Sequence, residues 1–203
     1  IATSAIDSVI GGTGAAHTLT LLAAGNTWVS AIESVLGSTG ADVLTLGAAG
    51  AIAIDGVDSV LGTTGTDTVT LAGSQTTVAV SSVDSVVGST GSADAVTLLA
   101  NGTLNISGIE TVTGAAGAGD TVRLTAGESI RAAGVETVIG GTGTESLTLL
   151  AGGTVAISAL ETVTGSTGTS DTLTLLAAPT AALAISGIES VLGSTGTDIL
   201  TMG

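Results

Sequence analysis

Short runs of alternating aliphatic and polar residues, separated by glycine-rich or small-residue segments, follow one another along the whole chain. One run reads IESVL at 32–36, a second reads VLTL at 43–46, and a third reads VAIS at 155–158. Alternation with a period of two places one side of each run in a core and the other at the surface, which is typical of β-strands. The abundance of Gly, Thr and Val argues against helices. The pattern therefore predicts an all-β chain of very short strands.

A longer repeat organises these runs: an aliphatic residue, an acid, Ser or Thr, and then Val recur eight times, in steps of 25 to 28 residues. The repeats start at Ile6, Ile32, Val57, Val83, Ile109, Val135, Leu160 and Ile188. Pro179, the single proline, lies in the longest step. Strands this short are unstable alone, but stacked coils pair their backbones and bury a continuous core. We therefore expect a single domain over residues 1–203, a β-solenoid (parallel β-helix) of about eight coils, each with 25–28 residues and three strands.

One coil per repeat would stack the equivalent strands of successive repeats on one another. Inward Leu19 and Leu44 would then belong to one core column, and outward Thr20, Thr45 and Thr70 to one surface ladder. Such flat threonine ladders resemble those of ice-binding solenoids, which implies an ice-binding face. The alternative is that Thr simply favours strands and pairs well across them.

Composition and charge narrow the function further. The chain contains 32 glycines and one Trp but no Phe or Tyr, so thin aliphatic layers must replace an aromatic core. The net charge is −15, with Arg123 and Arg131 as the only basic side chains besides His17. Nucleic acids and anionic membranes are therefore poor partners, whereas cations are good ones. The absence of an apolar run of about 18 residues predicts no membrane insertion. Strong acidity without cysteine favours a secreted protein at a bacterial cell surface.

Fifteen of the 17 acidic residues fall at two fixed positions of the repeat. The first position precedes the second strand and holds Asp42, Asp67, Asp94, Asp120, Glu145, Asp171 and Asp198. The second position follows the repeat start and holds Asp7, Glu33, Asp58, Asp84, Glu110, Glu136, Glu161 and Glu189. Carboxylates stacked about 5 Å apart repel one another, and a cation between rungs would reverse that effect. Calcium, which prefers carboxylate and carbonyl oxygens, is the expected cofactor. The alternative is a solvated acidic edge whose carboxylates accept backbone N–H groups.

The turns that contain the first acidic position resemble the GGxGxDxUx nonapeptide of RTX, or haemolysin-type calcium-binding, repeats. The closest matches are GSTGADVLT at 37–45, GTTGTDTVT at 62–70 and GSTGTDILT at 193–201. The resemblance implies a secreted or surface protein in which loop carbonyls and the aspartate bind calcium between stacked turns. This chain departs from the family in having one nonapeptide per repeat, with His17 and Glu145 replacing the aspartate in two units.

Two classes of function remain. The first is an extracellular structural or adhesive protein, and the second is a ligand-binding module for ice or for a cell-surface or matrix polysaccharide. We expect no enzyme, because nothing marks a nucleophile or orienting acid for His17, and β-helix enzymes of the pectate-lyase type need basic residues.

Head-to-tail self-assembly is the expected mode of association. Residues 1–5 resemble the third strand of a repeat, and residues 198–203 form its second strand. A second copy placed after Gly203 would therefore continue the order of strands and build a homopolymer. The chain also starts at Ile1 without Met or a signal peptide, which indicates processing or a fragment of a longer array.

Overall fold

The computed structural model describes residues 1–14, 16–90, 93–168 and 170–203. These residues form 24 β-strands and no helix. The strands are β1 (Ala2–Thr3), β2 (Ser8–Ile10), β3 (Thr18–Leu21), β4 (Gly25–Ser30), β5 (Ser34–Leu36), β6 (Asp42–Leu46), β7 (Gly50–Asp55), β8 (Ser59–Leu61), β9 (Asp67–Leu71), β10 (Thr77–Ser81), β11 (Ser85–Val87), β12 (Ala95–Leu98), β13 (Thr103–Ser107), β14 (Thr111–Thr113), β15 (Thr121–Leu124), β16 (Ser129–Ala133), β17 (Thr137–Ile139), β18 (Ser146–Leu149), β19 (Gly153–Ser158), β20 (Thr162–Thr164), β21 (Asp171–Leu175), β22 (Leu183–Ser186), β23 (Ser190–Leu192) and β24 (Leu200–Met202).

The strands alternate between two parallel sheets as the chain winds forward. The odd-numbered strands form one 12-stranded sheet, called here sheet A, and the even-numbered strands form the other, sheet B. Each coil therefore consists of one strand from each sheet, and the solenoid has about 11 turns. Facing residues in neighbouring coils lie between 16 positions apart, as for Thr18 and Ser34, and 22 apart, as for Thr162 and Ala184. The largest spacing spans the segment that contains Pro179.

The predicted fold class is confirmed, but the predicted coil of 25–28 residues with three strands is wrong. A repeat contains three strands and a coil contains two, so each repeat covers one and a half coils. Equivalent strands of successive repeats therefore lie in opposite sheets, and successive repeats are related by a half turn about the solenoid axis. Leu19 in β3 and Leu44 in β6 consequently lie in opposite sheets instead of stacking in one sheet.

The core is a single aliphatic layer between the two sheets. In β3, β6 and β9 the inward residues are buried and the outward residues are partly exposed, which follows the period of two in the sequence. Leu19, Leu44, Val60 and Val86 are fully buried members of this layer. Burial of each such side chain contributes roughly 1.5–3 kcal/mol. Strands β2 to β23 all contribute to the same narrow layer, so no aromatic side chain is needed to fill it.

Among the described residues, no helix is long and apolar enough to cross a membrane.

Candidate functional site

The first acidic position closes the turn that precedes it. Asp42 begins β6 and is fully buried. Its Oδ2 atom accepts the Ser38 backbone N–H at 2.6 Å and the Ser38 hydroxyl at 2.9 Å. Asp67 accepts the same two groups of Thr63, at 2.6 and 2.8 Å. Bonds of this kind to a charged acceptor are stronger than those between neutral groups, so the aspartate fixes the turn.

The glycine that opens most of these turns is required by a close approach to the neighbouring coil. A Cβ atom on Gly37 would lie 1.9 Å from the backbone carbonyl oxygen of Gly56. The same approach, at 1.6–1.9 Å, recurs for five later turns. These glycines are Gly62, Gly88, Gly114, Gly140 and Gly165. Packing between coils therefore explains these six glycines without any ligand.

The carboxylate at the second acidic position accepts a hydrogen bond from the backbone N–H of a residue at the first acidic position in the neighbouring coil. The Asp58 Oδ2 atom accepts the backbone N–H of Asp42 at 2.8 Å, and Asp84 accepts that of Asp67 at the same distance. Each such contact joins one member of each predicted column. The pairs are Asp42–Asp58, Asp67–Asp84, Asp94–Glu110, Asp120–Glu136, Glu145–Glu161 and Asp171–Glu189.

The two predicted acidic columns therefore do not stack as continuous rows. Successive pairs alternate between sheets A and B, because each repeat covers one and a half coils. Within one sheet, a third strand separates one pair from the next, and in sheet A this strand (β7, β13 or β19) starts with or directly after a glycine. In two cases that glycine binds the acid directly: Gly50 donates its N–H to Asp67 Oδ1 at 3.1 Å, and Gly102 donates to Asp120 Oδ1 at 3.1 Å. The pairs do not include Asp7 or Asp198; Asp198 closes its own turn through Ser194.

The carboxylate oxygens of these pairs are the kind of ligand that calcium prefers, but each pair supplies only two carboxylates. In the described part of the chain, no three His, Asp or Glu side chains come close enough to hold a metal ion together. At the Asp42–Asp58 pair, however, Asp42 Oδ1 is buried and has no hydrogen-bond partner. Asp58 lines a cleft between turns with residues 38–41 and 74–77. Two carboxylates with backbone carbonyls and water would supply the all-oxygen shell that calcium prefers.

His17 occupies the first acidic position in the first repeat and plays the same part as a hydrogen-bond acceptor. Its Nε2 atom accepts the Gly12 N–H at 3.3 Å. Its backbone N–H donates to Glu33 Oε2 at 2.6 Å, and its Nδ1 atom lies 3.2 Å from the same oxygen. These contacts, the backbone hydrogen bond first, lower the pKa of Glu33 below its ordinary value. His17 is thus a turn residue, as its position in the repeat predicts.

Glu145 is the other departure from aspartate, and its surroundings differ. Burial raises its pKa above the ordinary glutamate value, and hydrogen bonding to Glu161 and the charge of Glu161 raise it further. The Gly141 backbone N–H opposes this shift. Glu128, which lies outside both predicted columns, also raises it through its negative charge.

The predicted threonine ladder does not form. Thr20 and Thr70 lie in sheet A, whereas Thr45 lies between them in the repeat order but in sheet B. In sheet A, Thr70 is flanked by Ala53 and Val87. In sheet B, Arg131 lies between Thr111 and Thr148, so neither sheet presents an unbroken threonine array.

The two arginines and the tryptophan are isolated on the broad faces. Arg123 lies in sheet A, and Arg131 lies in sheet B. Trp28 lies outward in sheet B over Gly47, where an added Cβ atom would come within 1.8 Å of the ring. The ring therefore packs on a position that is free of a side chain.

The sequence pattern did not indicate the role of Gln75, a buried residue that bonds the backbone of the neighbouring coil. Gln75 is buried, accepts the Val57 N–H through Oε1 at 2.9 Å and donates to the Val57 carbonyl at 2.9 Å. Its amide also donates to the Thr77 carbonyl. As the only glutamine in the chain, it was a visible signal.

Comparison with known proteins finds no matching family model, no matching curated protein and no matching solved structure.

Proposed function

We propose that the chain is an extracellular structural or adhesive rod of a bacterial cell surface, and that it joins further copies head to tail into a filament or surface assembly. The observation that carries this proposal is the continuity of the two 12-stranded parallel sheets. Each coil contains one strand of each sheet, and the aliphatic layer between the sheets extends from Val9 in β2 to Val191 in β23. Such a solenoid resists bending and compression by backbone pairing along its axis, which suits a scaffold more than a catalyst.

The terminal strands support association with a second copy. At the β2 side, Ile6 is 45% exposed, although the equivalent Ile32 is 7% exposed. At the β24 side, Met202 is 73% exposed, although the equivalent Leu175 is 4% exposed. β2 and β24 are also the outermost strands of sheet B, and outer sheet edges are templates for strand pairing.

The order of strands also suits a second copy. Each repeat contains three types of strand. β1 is of the third type, β2 of the first and β3 of the second, and this order continues along the chain to β24, which is of the second type. The next strand in this order would be of the third type and would lie in sheet A. Those are the type and the sheet of β1, so a second copy continues both sheets.

Electron microscopy and analytical ultracentrifugation of the purified 203-residue chain test the assembly. We expect fibres or a ladder of oligomers at micromolar concentration. Met202→Lys and Ile6→Lys each place a charge at one contact face and should abolish them. Leu99→Lys is the matched control, because Leu99 is 50% exposed on the side of the rod, and it should assemble normally. A wild-type chain that stays monomeric overturns the self-assembly.

Calcium is part of the proposal at the Asp42–Asp58 pair. The buried, unpartnered Asp42 Oδ1 and the cleft beside Asp58 support it. Calcium that binds only the folded chain should stabilise it by about 2.7 kcal/mol at a calcium concentration 100 times the dissociation constant. The melting temperature should therefore rise.

Thermal melting in calcium and in chelator measures this effect. Asp58→Asn retains an oxygen that can accept the Asp42 N–H but removes the charge, so it should reduce the calcium response. Asp7→Asn removes one exposed charge elsewhere and should leave the response unchanged. Identical curves for the wild-type chain in calcium and in chelator would exclude calcium at this pair and would leave the rod proposal standing.

A further inference from the structure

The hydrogen bond that joins successive repeats is complete at the six pairs described above and has two unmatched halves elsewhere. In each pair, a carboxylate at the second acidic position accepts the N–H at the first position of the neighbouring coil, as Asp58 does for Asp42. Among the described residues, the Asp7 carboxylate accepts no such N–H, and no carboxylate accepts the N–H of Asp198. Asp7 precedes β2 and Asp198 precedes β24, which are the two outermost strands of sheet B. Each residue therefore carries the half of the contact that the other lacks.

The last glycine turn has a matching space over its first residue. In earlier turns, a Cβ atom on the first glycine would collide with a backbone carbonyl of the neighbouring coil, as Gly37 would with Gly56. A Cβ atom on Gly193, which opens the last turn, would meet only atoms of Asp198 within 4 Å. Ala5 is the counterpart of Gly56 in the first repeat, and its φ of 55° already gives it the left-handed conformation of that position. The space over Gly193 therefore fits the Ala5 carbonyl of another copy.

The strand register inside the rod fixes where a second copy would lie. Second-type strands pair in parallel with the first-type strands of the next coil; β6 and β8, for example, pair over residues 43–45 and 59–61. β24 is of the second type and β2 is of the first. In the same register, residues 199–201 would pair with residues 8–10 of a second copy. Leu200, which is 36% exposed, would then be covered by a strand of the type that covers its buried equivalents.

We propose that Asp198 of one copy and Asp7 of the next form a seventh acidic pair, which fixes the register and the direction in which copies join. The Asp198 N–H donates to the Asp7 carboxylate, and the Ala5 carbonyl of the second copy lies over Gly193. Contact between two like ends would offer two carboxylates without a donor, or two donors without a carboxylate, so the pair forms only head to tail. This interface rests on the head-to-tail association proposed above and specifies the residues that direct it.

Disulfide trapping tests the register, because the chain contains no cysteine of its own. Two single-cysteine chains, each changed at an exposed position, are mixed under mild oxidation, and the products are separated on a non-reducing gel. The facing combinations are Ser8→Cys with Ile199→Cys and Ile10→Cys with Thr201→Cys. Their Cα atoms would lie about 5 Å apart across the joint, within the range of a disulfide. The crossed combinations, Ser8→Cys with Thr201→Cys and Ile10→Cys with Ile199→Cys, are displaced by two residues, to about 8 Å, and lie beyond that range.

We expect covalent dimers from the two facing combinations and none from the crossed combinations or from any single chain alone. Fibres in which the crossed combinations also form dimers, or in which no combination does, overturn the proposed register and leave the head-to-tail filament standing. A wild-type chain that forms neither fibres nor oligomers overturns the filament, and the register with it. The two failures are therefore distinguishable.

The concentration needed for assembly tests the hydrogen bond itself. Asp7→Ala removes the acceptor and should raise this concentration about ten- to a hundredfold, as expected for a hydrogen bond to a charged group. Asp7→Asn keeps an oxygen that can accept the Asp198 N–H and should have a smaller effect. The Asp7 carboxylate is exposed and bonds no N–H among the described residues of its own chain, so denaturant unfolding of the Asp7→Ala monomer should match the wild type. An Asp7→Ala chain that assembles at the wild-type concentration overturns the pair.

Discussion

The residue before each repeat start adopts a left-handed backbone conformation, whichever amino acid occupies it. Gly56, Gly108, Gly134 and Gly187 have φ values from 62° to 73°. The other four positions have φ values from 52° to 55° and are occupied by Ala5, Ala31, Ser82 and Ala159. Left-handed conformation costs a residue with a Cβ atom about 1–2 kcal/mol, whereas glycine adopts it freely. The solenoid thus tolerates strain at half of its repeats.

Replacement of these residues by glycine should stabilise the fold. Ala31→Gly and Ala159→Gly should each raise the free energy of unfolding by about 0.5–1 kcal/mol, because the relief of strain exceeds the added entropy of the unfolded chain. Chemical denaturation measures the change. Ala53→Gly, within β7 and outside the positive-φ positions, should instead cost about 0.5–1 kcal/mol. A loss of stability in Ala31→Gly as large as that in Ala53→Gly would contradict the argument.

At the scale of the element, strands were predictable from the sequence but their number per coil was not. Each strand type buries alternate residues against the same aliphatic layer, as the identical patterns of β6 and β9 illustrate. A period of two therefore reveals which residues face inward, but says nothing of where the chain turns back. The repeat of about 26 residues shows only that the same types of residue recur along the chain. Its relation to a coil depends on turn geometry, which the alternation does not encode.

The candidate site shows the same limit. Both acidic positions were evident from the sequence, since they recur with the repeat. Their pairing was not, because Asp42 meets Asp58 only when a coil is about two-thirds of a repeat. The extra carboxyl of Glu128 lies outside both positions, so periodicity gave no reason to place it near Glu145.

The side chain of Gln75 completes an element where backbone pairing is interrupted. Its amide satisfies both the N–H and the carbonyl of Val57, as a neighbouring strand would. Gln75→Leu keeps a comparable volume but leaves these buried groups unpaired, at a cost of about 1–3 kcal/mol for each group. We expect a loss of about 2–6 kcal/mol in denaturant unfolding, together with faster hydrogen exchange at the Val57 amide. Ser74→Ala, next to it on the exposed side, should cost much less; equal losses would refute the bridging role.

The whole molecule has two broad faces of the same design. Because successive repeats are related by a half turn, odd and even repeats present equivalent strands on opposite sheets. Except for Asp55 at the end of β7, the acidic residues lie at or before the starts of strands, and the faces carry mainly Thr, Ser and Ala. A rod of this kind offers two chemically similar surfaces and concentrates its negative charge between them.

This relation predicts that the repeat, and not the coil, is the unit that can be removed without damage. Deletion of residues 57–82 takes out one repeat, or one and a half coils, and joins Gly56 to Val83. All later strands then change sheets, but every strand keeps neighbours of the same types, and Asp42 meets Asp84 in place of Asp58. Deletion of residues 57–73 takes out β8 and β9, a whole coil, and keeps the later strands in their sheets. It nevertheless sets β6 beside β10 and removes the acid that receives the Asp42 N–H.

In a solenoid the stability is roughly the sum of the units and their interfaces. Interfaces between matching strand types therefore matter more for stability than keeping each strand in its original sheet. Thermal unfolding followed by circular dichroism should therefore give the longer deletion a melting temperature closer to that of the intact chain, and a higher melting temperature for the shorter deletion would show that the coil is the unit instead.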